Sequence, residues 1–81
     1  MTISIQYWSY FRDLTGTSAD TIEVADGTTV AGMLDALHLR HPCLQPLRGS
    51  TLVAVGVEYA EAHRVLRANE EVSLFPPVQG G

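Results

Sequence analysis

The sequence predicts an α+β domain in which one main helix packs on one face of a mixed, mostly antiparallel sheet of four to five strands. Three observations predict it. Ile3, Ile5 and Tyr7 alternate with Ser4, Gln6 and Trp8, the period of two that marks a half-buried strand. Val30, Met33, Leu34 and Leu37 fall at i, i+3, i+4 and i+7, which is one face of a helix. The run TLVAVGV, residues 51–57, reads as a largely buried strand.

The elements follow in order. After the first strand, Gly16 breaks the chain, and Thr21 to Val24 alternates again, so the domain starts as a hairpin. Asp26-Gly27 ends that unit as a turn. The helix begins at Thr28-Thr29, where either hydroxyl can accept from a free backbone N–H. Gly32 weakens this helix by roughly 1 kcal/mol relative to alanine. Pro42 stops it, because the residue before a proline avoids the helical region.

Leu44 to Leu47 reads as a connection with a short helical turn, and Arg48-Gly49-Ser50 as a turn. Beyond the TLVAVGV strand, Val65 and Leu66 are expected to return to the core, and Asn69 suits a left-handed turn position. Val72 to Phe75 is the last strand, and Pro76 ends it because proline removes a ladder donor. The order β-β-α-β-(β)-β lets the first and last strands lie side by side at the centre of the sheet. That is the β-grasp, or ubiquitin-like, arrangement, with residues 1–75 as the domain and 76–81 as an extended tail.

The chain has 81 residues, enough for one domain near the lower limit of unaided folding. Nine Asp and Glu against five Lys and Arg give a net charge of −4. That balance argues against a phosphate-binding, nucleic-acid surface and suits solubility or a basic partner. Cys43 is the only cysteine, so no internal disulfide forms and a reducing, cytoplasmic setting is expected. The N-terminal MTISIQYW lacks the basic and long apolar regions of a signal peptide, and no apolar run approaches membrane-spanning length.

The end of the chain, LFPPVQGG, poses the functional question. Terminal glycines are ordinary by themselves, since chain ends fray. Here they follow a strand and two prolines that restrict the direction of exit. From Val78 onward the chain reaches about 13 Å at roughly 3.3 Å per residue. Without Cβ atoms, Gly80 and Gly81 can pass a channel too narrow for side chains. The reactive group would be the α-carboxylate of Gly81. A carboxylate is a poor electrophile and needs activation, for example as an acyl-adenylate, and the chain has no Gly-rich phosphate loop to do this itself.

FRDLTG at residues 11–16, the TTV helix start, the LVAV strand, the NEEV turn and the terminal FPPVQGG together resemble the MoaD family, the small sulfur-carrier subunits of molybdopterin synthase, within the ubiquitin-like, ThiS-like superfamily. The resemblance implies a β-grasp fold and a partner-dependent function. In that family the terminal glycine, here Gly81, is adenylated by an ATP-using activating enzyme of the MoeB type and converted to a thiocarboxylate. The tail enters the large subunit (MoaE type), within a heterotetramer. Its sulfur goes to a pyranopterin precursor, building the dithiolene of molybdopterin. Carried over, Gly80 gives access, and Phe75, Pro76, Pro77 and Val78 dock the tail. The chain itself would bind no cofactor or metal and would have no turnover alone. The family often has Asn where this chain has Gly56, which bears on turn geometry.

Strand parity gives an independent clue. If Ile3, Ile5, Tyr7, Val72 and Leu74 face the core, then Trp8 and Phe75 face out on neighbouring strands and form an exposed apolar patch beside the tail. The family alignment adds Tyr59 to that patch. The bland alternative is that Trp8 folds over a core edge. Arg12, near Trp8, could pair across an interface or simply be exposed.

Other residues carry less. His38 and His41 are three apart on the helix without a third metal ligand, so surface or helix-end roles are expected; His63 is isolated. Cys43 lacks a catalytic signature and reads as a small buried or edge residue, and Glu70-Glu71 as a solvated turn. Two further functions fit the pattern: a sulfur carrier for thiamine or cysteine synthesis, and a ubiquitin-like interaction or modifier domain. All five basic residues are arginines, so the chain is no target for lysine conjugation.

Overall fold

The computed structural model describes residues 1–77. Five strands form one sheet: β1 (Thr2–Tyr7), β2 (Ala19–Glu23), β3 (Leu52–Val55), β4 (Glu58–Tyr59) and β5 (Glu71–Phe75). Their spatial order is β2-β1-β5-β3-β4, with β1 and β5 parallel and the other neighbours antiparallel. This is the mixed sheet expected, with the first and last strands adjacent inside it. Two α-helices, α1 (Tyr10–Thr15) and α2 (Val30–Arg40), and a 3-10 segment at Pro42–Ser50 complete the domain.

Alternation does the sorting. Ile3, Ile5 and Tyr7 of β1 and Val72 and Leu74 of β5 point to one side and are buried, with Ile22, Val53 and Val55 beside them. Val30, Met33, Leu34 and Leu37 of α2 cover that side, and Phe11, Leu44 and Leu66 close its margins. Among the described residues, the opposite face of the sheet carries no helix.

Local chemistry sets the boundaries. The Thr29 hydroxyl caps α2 by accepting from the Gly32 amide at 3.2 Å, while Thr28 closes the preceding turn by donating to the Ala25 carbonyl at 2.6 Å. A Cβ at Gly32 would lie 3.0 Å from the Thr28 methyl carbon, so the helix-weakening glycine has a packing reason. Gly56 sits at φ 62° between β3 and β4. Glycine and asparagine are the residues that best tolerate this region, which accounts for the exchange noted in the sequence. Asn69 is left-handed as expected, at φ 69°.

Three expectations need correction. The stretch after β1 is not merely a break: Ser9, at φ 57°, turns the chain into α1, and Gly16 ends that helix with its N–H donating to the Arg12 carbonyl at 2.8 Å. Leu66 is buried, but Val65 is 53% exposed, because its backbone pairs with Thr29 and directs the side chain outward. Arg48-Gly49-Ser50 completes the 3-10 segment rather than standing as a separate turn.

Candidate functional site

The uncovered face of the sheet gathers the sequence-predicted contact residues. Trp8 leaves β1 with its N–H donating to the Leu74 carbonyl of β5 at 3.1 Å, which sets it beside Phe75. The two rings stack 13° from parallel with centroids 5.6 Å apart. Trp8 is 45% exposed, so the parity argument chose the correct face and the indole does not fold over a core edge. Leu52 lies opposite Phe75 on β3, and Ala54 lies opposite both Ser73 and Tyr59. Tyr59 is 76% exposed.

Two depressions flank the Phe75–Tyr59 pair. One, at the root of the tail, is lined by Leu52, Tyr59, Phe75, Pro76 and Pro77, with Ser9 and Tyr10 at its rim. The other is floored by Ala54 and Ser73 and walled by Gly56, Val57, Tyr59 and Phe75. Pro76 and Pro77 are half-buried where β5 ends. Val78, Gly80 and Gly81, expected to dock, give access and react, lie outside the described residues.

The titratable side chains serve the scaffold. Tyr7, buried from the core side, donates to Asp20 Oδ2 at 3.2 Å. Burial, then the Asp20 carboxylate, pushes its phenol well up from the usual range. Burial works to raise the Asp20 carboxyl, but Arg40 at 2.9 Å, the Thr21 amide and His41 at 3.4 Å together hold it low. His41 thus has the expected helix-end role.

His38 does not lie at the surface. It is 7% exposed, with no partner for Nδ1, and burial followed by the Arg48 charge pushes its imidazole down. Its place at i+8 from Val30, on the apolar face of α2, is the signal that would have found it. Glu70 is not simply solvated either. Arg64 donates to both its oxygens at 3.0 and 2.9 Å, the Arg67 amide donates at 2.6 Å, and the carboxyl is held low by Arg64 first. Cys43 is exposed, with Sγ 3.3 Å from the Leu14 carbonyl oxygen, and His63 is exposed beside Glu61. Arg12 is exposed and has no ion pair among the described residues.

Among the described residues, no group of three or more His, Cys, Asp or Glu side chains could hold a metal ion. No helix there is long and apolar enough to cross a membrane. What the arrangement offers is an exposed aromatic platform at the base of a proline-led exit.

The model of the ThiS family matches residues 5–81. The chain belongs to the ThiS family. Within it, the chain is 29% identical over 79 residues to the molybdopterin synthase sulfur carrier subunit of Arabidopsis thaliana, covering 98% of this chain and 82% of that one. It is 28% identical to the subunit of the same name from Chlamydomonas reinhardtii, with both chains covered in full.

Among solved structures, the small archaeal modifier protein SAMP1 of Haloferax volcanii superposes with a TM-score of 0.88 at 27% identity, over the whole of both chains. Two complexes contain the same fold: subunits 1 and 2 of the molybdopterin-converting factor of Helicobacter pylori (TM-score 0.69, 18% identity, all of both chains) and BexX/CysO of Amycolatopsis orientalis (TM-score 0.72, 21% identity, 98% and 99%). This ThiS-family chain is therefore a ubiquitin-like β-grasp protein whose relatives are named as sulfur carriers.

Proposed function

We propose that this chain is the sulfur-carrier subunit of molybdopterin synthase, with residues 1–75 as the docking domain and 76–81 as the working tail. The observation that carries the reading is the stacked Trp8–Phe75 pair on the uncovered sheet face, beside the prolines that lead toward Gly-Gly. An exposed aromatic patch of this kind marks a protein interface. The names of the relatives from Arabidopsis and Chlamydomonas support the pathway.

In this reading, an activating enzyme of the MoeB type joins the Gly81 carboxylate to the α-phosphate of ATP, releasing pyrophosphate. Sulfide-level sulfur (HS⁻) then attacks the acyl carbon and displaces AMP, leaving a thiocarboxylate. The platform docks on a large subunit of the MoaE type in a heterotetramer, in the cytoplasm. The terminal sulfur bonds there to a pyranopterin precursor, and water cleaves the resulting acyl–sulfur bond, leaving the sulfur on the precursor and returning the terminus to carboxylate. A dithiolene holds two sulfurs and each tail carries one, so each product consumes two loaded carriers or two cycles. This chain supplies docking, reach and the acyl group, while the large subunit supplies the catalytic site.

The test is reconstitution. The chain is incubated with ATP and the activating enzyme, its intact mass is read, and the loaded form is then mixed with the precursor, with and without the large subunit. The expected result is loading at the C-terminus and dithiolene formation only when the large subunit is present. Absence of loading sinks the carrier role, and efficient transfer without the large subunit sinks the division of labour.

A second reading, as a protein modifier, draws on the full-length superposition with the small archaeal modifier protein. It predicts terminal-glycine adducts on lysines of other proteins in the source cells, which peptide mass spectrometry would detect.

A further inference from the structure

The outer sheet face has a feature that tail docking does not use. Ala54 and Ser73, register partners on β3 and β5, are each only 8% exposed although no helix or strand among the described residues packs over them. Their small side chains floor the depression between Phe75, Tyr59 and Val57, on the side away from the prolines. Val57, at the tip beyond β3, is fully exposed, so one wall is an uncovered apolar side chain.

Among the strand residues of this face the only charges are negative. None of the five strands carries an arginine, and the chain has no lysine. Arg40, Arg48 and Arg64 are committed to Asp20, Asp35 and Glu70. Glu71 lies two residues before Ser73 on the same face of β5 and is exposed. It also borders the polar half of the face, with Ser4, Gln6 and Thr21. Beyond it, Glu23 is hydrogen-bonded by Thr2 at the β2 edge. The face therefore grades from apolar at Phe75 to anionic at Glu71, with no cation among its strand residues.

We propose that the Ala54–Ser73 depression is a socket for one apolar side chain of the partner protein, and that Glu71 beside it receives a basic residue from the same partner segment. The proposal rests on the carrier reading above and deepens it by naming the partner's chemistry: an apolar knob with an arginine or lysine next to it. Small residues at the floor make room, since a larger side chain would fill the socket from below. The Glu71 carboxylate, without an ion pair among the described residues, attracts a cation before contact and fixes which way the knob enters, as complementary charges at interfaces do. A desolvated central knob is also where interface energy concentrates.

The experiment measures binding of the intact chain to the large subunit by stopped flow, across a range of salt. Ala54→Leu and, as a milder filling, Ser73→Val should weaken affinity about tenfold or more through faster dissociation, with circular dichroism verifying the fold. Glu71→Arg should slow association at least about threefold and flatten its salt dependence, whereas Glu61→Arg, the same charge change off the sheet, should stay within about twofold of wild type. Failure of the wild-type chain to bind at all would overturn the carrier reading. Normal wild-type binding with Ala54→Leu, Ser73→Val and Glu71→Arg unchanged would overturn the socket and leave the carrier reading standing.

Discussion

Trp8, just past the end of β1, and Phe75, the last residue of the neighbouring parallel strand β5, stack 13° from parallel with 5.6 Å between centroids at the root of the tail. A flat aromatic pair on an open sheet face buries a large area on docking with little loss of side-chain freedom. Trp8→Ala should therefore weaken association with the large subunit by ~2 kcal/mol or more. The fold should remain intact, because the indole lies outside the core. Titration and melting of the variant check both halves. Unchanged affinity with normal folding would mean that the partner docks elsewhere.

Phe11 anchors α1 to the core. It is 1% exposed and the only buried residue of that helix. Phe11→Ala should cost about 3–5 kcal/mol, the range for removing a buried aromatic ring. A lowered midpoint in urea unfolding is the expected result, and a change within about 1 kcal/mol would show that α1 is peripheral to stability.

Acid should weaken the domain in two stages. His38 is held below its ordinary value of 6.5 by burial and by Arg48, so on acidification the unfolded chain takes up its proton first. Its contribution is fully present above about pH 6.5 and falls as pH drops below that. Glu70 and Asp20 are both held low, so their stabilisation is present above their ordinary values of 4.5 and 3.8 and is lost as pH falls further. Thermal midpoints measured from pH 8 to 3 should show both stages. His38→Leu should flatten the first and leave the second, and a first stage that survives His38→Leu would assign it to another group.

The pattern of success in reading the sequence has physical causes. β1, β5 and α2 were legible because each exposes enough residues to display its period, and the pairing of β1 with β5 followed from their order. Six residues of α1 offer a single buried position, Phe11, so no 3.6 period can emerge. Val65 and Leu66 lie where no repeat fixes which neighbour turns inward, and polarity hid His38 although its spacing placed it on the core face.

For the site, Trp8 and Phe75 were readable because parity alone decides the face of a strand. The Ala54–Ser73 floor was not, because it depends on the register that brings β3 beside β5.

The tail separates function from stability most sharply. Deleting Gly81, or extending the chain beyond it, should abolish sulfur transfer while leaving the melting temperature nearly unchanged. The stability half follows from where the fold ends: the β5 pairings run to Phe75, and the last buried core residue described is Leu74. The described core packing and ladder pairing therefore lie wholly within residues 1–77. The functional half follows from geometry. The reacting carbonyl must meet one point inside a partner's site, where a displacement of about 1 Å can cost about a hundredfold in rate. Removing one residue shifts the terminus by roughly 3.3 Å. Gly80→Val should fall between, since it keeps the carboxylate but adds a branched side chain where the chain must thread a narrow channel. Adenylate and thiocarboxylate formation, measured beside melting curves, tests each variant. A Gly81-deleted chain that still accepts and delivers sulfur would falsify the carrier assignment, and one that unfolds would show that the terminal glycines serve the fold.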